Sequence, residues 1–273
     1  MKTELKSTPA KALPKYMQIC GLEWKNALSY RGDTWLSAIF SIFSILLAYL
    51  LWSAIFAGRA VFGGMTLKQM TTYYLLAGII SSLTQSDDLL WEFSDDIKSG
   101  KFVKYLVRPV SPLACFLSAG FARSFLPAIS SFVVLACSMA IFKIYFVIPS
   151  LIHVLSALPV ILLGTLLSSL INYIVSSLAF KLTDISGPYI LKYTIINFLS
   201  GALIPLGLVF GSGAPAWSPF SYTIYYPVML CLGLSDISVL KTYLILLLWC
   251  TVFLLIALLM QKHASRAFEG VGV

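Results

Sequence analysis

Residues 34–58, TWLSAIFSIFSILLAYLLWSAIFAG, run the length of the segment without one charged side chain. As a helix rising 1.5 Å per residue, such a run reaches roughly 37 Å, more than the ~30 Å of hydrocarbon in a bilayer. The rest of the chain repeats the message. Of 273 residues, 59% are hydrophobic and 11% charged, with a mean hydropathy of +0.90, where soluble domains average about 25% charged. So few charges cannot clothe a water-soluble surface, and 18 Phe, 14 Tyr and 6 Trp are too many for a disordered chain. Lipid is the solvent for most of this protein.

Working outward from 34–58, other runs are long enough to cross at about 20 residues each. The expected spans are 34–58, 69–90, 116–142, 155–180, 190–211 and 240–261. They flank a cytoplasmic head (1–33), a loop (91–112), an external segment (212–236) and a cytoplasmic tail (262–273), all within one domain. The fold class expected is therefore all-α integral membrane, with six transmembrane helices. The net charge of +8 follows this topology and does not point to nucleic acid. Fourteen of nineteen Lys and Arg fall on one side, if 1–33, the 91–112 loop, 181–192 and the tail share it. Four (Arg59, Lys68, Lys143, Lys241) fall on the other, and Arg123 is left near the start of the third span. The positive-inside bias then puts both termini in the cytoplasm of a multi-pass protein of the cell membrane.

Two segments are expected to lie along the membrane surface. In the head, Met17, Cys20, Trp24 and Leu28 recur at helical spacing, opposite Lys15, Gln18, Lys25 and Ser29, which predicts an amphipathic helix on the cytoplasmic face. Residues 211–235, GSGAPAWSPFSYTIYYPVMLCLGLS, combine helix-breaking Pro215, Pro219 and Pro227 with aromatic side chains that avoid bulk water. Non-helical backbone at membrane depth survives only against protein or a wet cavity. Re-entrant external helices between spans 5 and 6 are predicted.

The chemistry is mostly one of absences. No GxxxxGK[ST], no HExxH and only two histidines, His153 and His263, are present, so the chain holds neither a Walker A nucleotide loop nor a His-based metal site. Its five cysteines lack a CxxC pair and read as packing residues. An ion-driven carrier needs ionisable groups deep in its spans; Asp87, Asp88, Arg123 and His153 all read as interfacial or paired. Asn172 and Asn197 read first as helix–helix glue, and with Thr72 and Gln85 they are the candidates to line a substrate path. An ion-coupled carrier and a membrane scaffold or enzyme stay open as alternatives.

The most specific stretch is WEFSDDIKSGKFVKYLVRPVSP, residues 91–112. Ser94 before Asp95 and Asp96 has the pattern of an N-cap with acids in the first turn, and Gly100 that of a C-terminal stop. A very short helix over 95–99 is predicted, offering Asp95, Asp96, Ile97, Lys98, Ser99 and Gly100 to a cytoplasmic partner. Tyr105, Arg108, Pro109 and Pro112 would anchor the remainder of the loop.

Ile97-x-Ser99-Gly100 followed by Tyr105-Leu106-x-Arg108-Pro109-x-x-Pro112, in a six-span chain with a basic amphipathic head, resembles the permease subunits of ABC-2 type transporters. The Gly-containing tail at 268–272 is a second, weaker echo. The resemblance implies a connector helix on the membrane, a coupling helix after the second span and ATP hydrolysis on a separate subunit. It further implies two copies of that ABC ATP-binding subunit, carrying the ATP and Mg, and a second permease, identical or homologous. This chain would bind no cofactor itself. Export is the direction implied, and a path poor in charge suits an amphipathic or hydrophobic cargo such as a drug, peptide or lipid.

Overall fold

The computed structural model describes residues 9–29, 31–84, 87–107, 110–142, 146–211, 215–235 and 237–267. Gln85, Arg108, Pro109 and the 268–272 echo lie outside the described residues. The chain is all-α, 80% helical and without strands among the described residues. Its helices are α1 (Pro9–Ser29), α2 (Arg31–Phe56), α3 (Leu67–Thr84), α4 (Asp87–Lys98), α5 (Val103–Val107), α6 (Pro112–Phe142) and α7 (Leu151–Ser177). After them come α8 (Ser186–Leu199), α9 (Leu206–Phe210), α10 (Tyr225–Leu232) and α11 (Val239–Ala267). Among the described residues, three stretches are long and apolar enough to cross a membrane: Pro112–Val134, Leu151–Phe180 and Val239–Lys262.

Helix α7 is the hub, packed against α11, α10, α4, α6 and α3. Its small and hydroxyl residues Gly164, Thr165, Ser168 and Ser169 are buried, as befits an interface formed where lipid removes the hydrophobic drive and close packing must supply the attraction. Helix α2 shows the opposite character. Phe40, Phe43, Leu47 and Leu51 point outward, at no cost in a solvent of acyl chains. Helix α1 lies along α6: Cys20 Sγ donates to the Ser118 carbonyl at 3.3 Å, and the Ser111 N–H donates to Tyr16 Oη at 3.4 Å. The apolar stripe read from the sequence divides, with Cys20 and Trp24 half-buried while Met17 and Leu28 are exposed.

Two buried clusters occupy the two ends of the bundle. One gathers Trp52, Tyr73, Tyr222, Tyr225 and Tyr226 around the chain after α8. There the backbone leaves helical geometry, and phenols supply the donors its carbonyls need. Tyr73 donates to the Gly201 carbonyl at 2.7 Å, Tyr74 to Leu203 at 2.8 Å, and Tyr222 to Ala216 at 2.8 Å. The Tyr225 N–H returns the chain to the end of α8, donating to Ser200 at 2.9 Å. Only glycine fits where this segment crosses α7: a methyl on Gly164 would stand 2.9 Å from the Tyr222 carbonyl oxygen. The other cluster, around Leu90, Phe93, Phe102, Phe116 and Tyr173, surrounds α4 and α5.

Candidate functional site

The site is built on α4. The short helix predicted over residues 95–99 is in fact the last part of a twelve-residue helix, Asp87–Lys98. The charges permit the longer helix, with Asp87 and Asp88 in the first turn and Lys98 in the last, both favourable to the helix dipole, and the burial of Leu89, Leu90 and Phe93 selects it. Ser94, read as the cap, is buried in mid-helix. At the other end Gly100 takes φ 74°, a left-handed value that favours glycine. It turns the chain so that the Phe102 N–H donates back to the Asp96 carbonyl at 2.9 Å.

Helix α5 is then clamped beneath α4. Phe102 is buried against Phe93 and Phe180, with ring centroids 5.9 and 4.9 Å away. Tyr105 donates to Asp96 Oδ2 at 3.0 Å, and Lys104 pairs with the same oxygen. Burial and the neighbouring Asp96 charge push the Tyr105 phenol above its ordinary range. The exit of the loop is pinned as well. Pro112 opens α6, where its missing N–H costs nothing, and Gln261 of α11 accepts from Ser111 Oγ at 3.0 Å and from the Leu113 N–H at 3.3 Å.

This geometry divides the six residues predicted to meet a partner. Asp95, Lys98 and Ser99 are exposed and Gly100 half-buried at the turn. Asp96 and Ile97 are buried, the first tied to α5 and the second in the aromatic cluster. Buried in this way, Asp96 and Ile97 fix the turn that presents the exposed members of the six. Lys101, Val103, Leu106 and Val107 are exposed beside them.

Three acids of α4 each reach a base on a different element. Asp96 takes Lys104 of α5. Glu92 takes Arg123 of α6, Nη1 to Oε2 at 2.8 Å, while Arg123 Nε also donates to Glu23 of α1 at 2.7 Å. Asp87 takes Lys192 of α8, Nζ to Oδ1 at 2.6 Å, and its Oδ2 accepts from Tyr189 at 3.0 Å. Lys192 was counted with the loop bases; the structure instead buries it in the second turn of α8, where it also donates to Asn172 of α7 at 3.0 Å. The paired carboxylate offsets the cost of burying an ammonium among helices, and sequence spacing alone does not reveal a partner 105 residues away.

Two cavities adjoin α4. One, of about 280 Å³, lies between α1, α4, α5 and α6, where Ile19, Leu22, Phe93 and Phe116 face Glu92 and Arg123. The other, of about 30 Å³, has a mixed lining, with Thr84, Asp87, Ser168, Lys192, Asn197 and Thr223 beside the apolar Ile196 and Ile224. Of the predicted path residues, Asn197 lines this second cavity and Asn172 is buried beside it on Lys192. Thr72 is elsewhere. Its hydroxyl is buried, donating to the Lys68 carbonyl and accepting from the Val147 N–H, each within 2.9 Å.

The family model described as ABC-2 family transporter protein matches residues 42–272. Searches of curated proteins and of solved structures returned no match.

Proposed function

The chain belongs to the ABC-2 transporter family, and on that premise we propose that it is the membrane-spanning permease of an ATP-driven exporter whose ATP hydrolysis is carried by separate subunits. The observation that carries the reading, beyond family membership, is the α4–α5 element: an exposed rim on a root fixed by ion pairs, rings and the Gln261 cap. A part that receives a push must not deform under it, and this one is tied to α1, α6, α7 and α8. Six crossings are assigned to α2, α3, α6, α7, α8 with its continuation, and α11, with both termini and the α4–α5 rim in the cytoplasm. Two ATP-binding subunits, which carry ATP and Mg²⁺, dock on the rims of two permeases, identical or homologous. The cargo is amphipathic or hydrophobic.

The test is co-purification of the chain with an ATP-binding subunit from the same genome. A variant carrying Asp95→Ala, Lys98→Ala and Lys101→Ala removes exposed side chains only, so it should keep its thermal stability and recover at least about tenfold less partner, the loss expected when a few contact residues dominate an interface. Equal recovery would show that the partner binds elsewhere.

A further inference from the structure

We propose that the pocket at Lys192 binds the single anionic head of an amphiphile, whose carboxylate or phosphate replaces Asp87 on the ammonium. The proposal rests on the permease reading in one respect, that the amphiphile is cargo.

The pair is asymmetric. The Lys192 side chain is 7% exposed and that of Asp87 26%. When such a pair opens, the carboxylate can take up water at its own position while the ammonium cannot, so Asp87 is the partner that leaves. The pocket discriminates by charge. Asp87 is already neutralised by Lys192 and bonded by Tyr189, so an incoming cation has to compete with a tethered ammonium, whereas an anion can take the place of Asp87. The ammonium gives two of its three N–H donors to oxygen, at Asp87 and Asn172. The rest of the lining is uncharged: Thr84, Ser168, Asn197, Ser200 and Thr223 bring polar groups, and Ile196 and Ile224 bring apolar ones. About 30 Å³ holds one or two waters or the oxygens of one acid group, and no tail. The tail has a place outside. Tyr193, which lines the pocket, is half-exposed, and Ile190 and Phe198 of the same helix are exposed apolar side chains.

Asp87 is also the first residue of α4. Exchange of its partner for a ligand releases the N-terminal end of the helix whose other end forms the docking rim. Occupancy of the pocket thereby reaches the surface on which the ATPase acts.

The experiment uses the full chain in phosphatidylcholine nanodiscs and the fluorescent acid 11-(dansylamino)undecanoate, with its methyl ester as the uncharged control. Dodecyl phosphate as competitor distinguishes a phosphate from a carboxylate preference. The acid should saturate, and the ester should bind at least about tenfold more weakly, as loss of one charge-assisted contact requires. Lys192→Gln should lose that preference and Lys192→Arg keep it. Asp87→Asn, which removes the internal competitor, should tighten the acid about threefold. Equal binding of acid and ester, or an unchanged Lys192→Gln, overturns the proposal. So does weakening by Asp87→Asn, because the pair would then be only a brace. If Lys192→Gln does not fold, the ester comparison in the wild type and the sign of the Asp87→Asn effect still decide. Recovery of an ATP-binding subunit is measured on the same preparations: its absence from the wild type defeats the permease reading, and a pocket without acid preference beside normal recovery defeats this proposal alone.

Discussion

The two buried clusters solve one problem by opposite means. At the tyrosine end, backbone that cannot be helical is satisfied by neutral phenol–carbonyl bonds from Tyr73, Tyr74 and Tyr222. At the α4 end, a helix is held among its neighbours by Asp87–Lys192, Glu92–Arg123–Glu23 and Asp96–Lys104. Neutral bonds have short reach and one fixed partner. Ion pairs act over longer distances and can exchange partners with ligand, water or salt. The first arrangement suits a seal, the second a joint.

Removing one charge from the joint should have the largest effect. Asp87→Leu strands the buried Lys192 ammonium among helices and should cost about 3–5 kcal/mol, measured by equilibrium unfolding in mixed micelles. Adding Lys192→Met should recover more than half of it; no recovery would mean that the stability lies in the Asp87 bond to Tyr189 and not in the pair. Next comes the seal. Gly164→Val forces a side chain onto the Tyr222 carbonyl and should cost about 1–3 kcal/mol, detected as a lower melting temperature with the α4 ion pairs intact. Tyr73→Phe leaves the Gly201 carbonyl without its donor and should cost about 1–2 kcal/mol, by the same measurement and equally at low and high salt. The smallest effect separates the two ends most directly. Glu92, whose side chain is 47% exposed, should lose up to about 1 kcal/mol of coupling to Arg123 between 0.05 and 0.5 M salt, read from a double-mutant cycle. A salt response of equal size from Tyr73→Phe would erase the distinction.

What could be read in advance follows the range of the interactions. Membrane residence and the all-α class are local properties of composition and spacing, and so is the stop at Gly100. The start of α4 is not legible in the sequence because Ser94-Asp95-Asp96 and Asp87-Asp88 are both good openings for a helix. Burial decides between them, since Phe93 and Ser94 are drawn inside by α6 and α7. The burial of Lys192 is not legible for the same cause: it stands among Ile190, Leu191 and Tyr193 as a lone charge at the edge of an apolar run, and only the arrival of Asp87 and Asn172 makes the interior tolerable. The exposed and buried members of 95–100 alternate with the turn of the helix, a pattern whose phase needs the packed neighbour to fix it.

The Asp87–Lys192 pair also orders the birth of the protein. Its members are 105 residues apart, and at synthesis rates of roughly 5–20 residues per second the acid waits about 5–20 s for its base. For that interval α4 enters the membrane region with an unmatched carboxylate, and it can settle only when α8 follows. A nascent chain halted before residue 192 should therefore hold α4 loosely and offer it to quality-control proteases, while one halted a few turns later should not. The joint is thus a checkpoint in assembly: the last partner to be made locks the first helix that needed it.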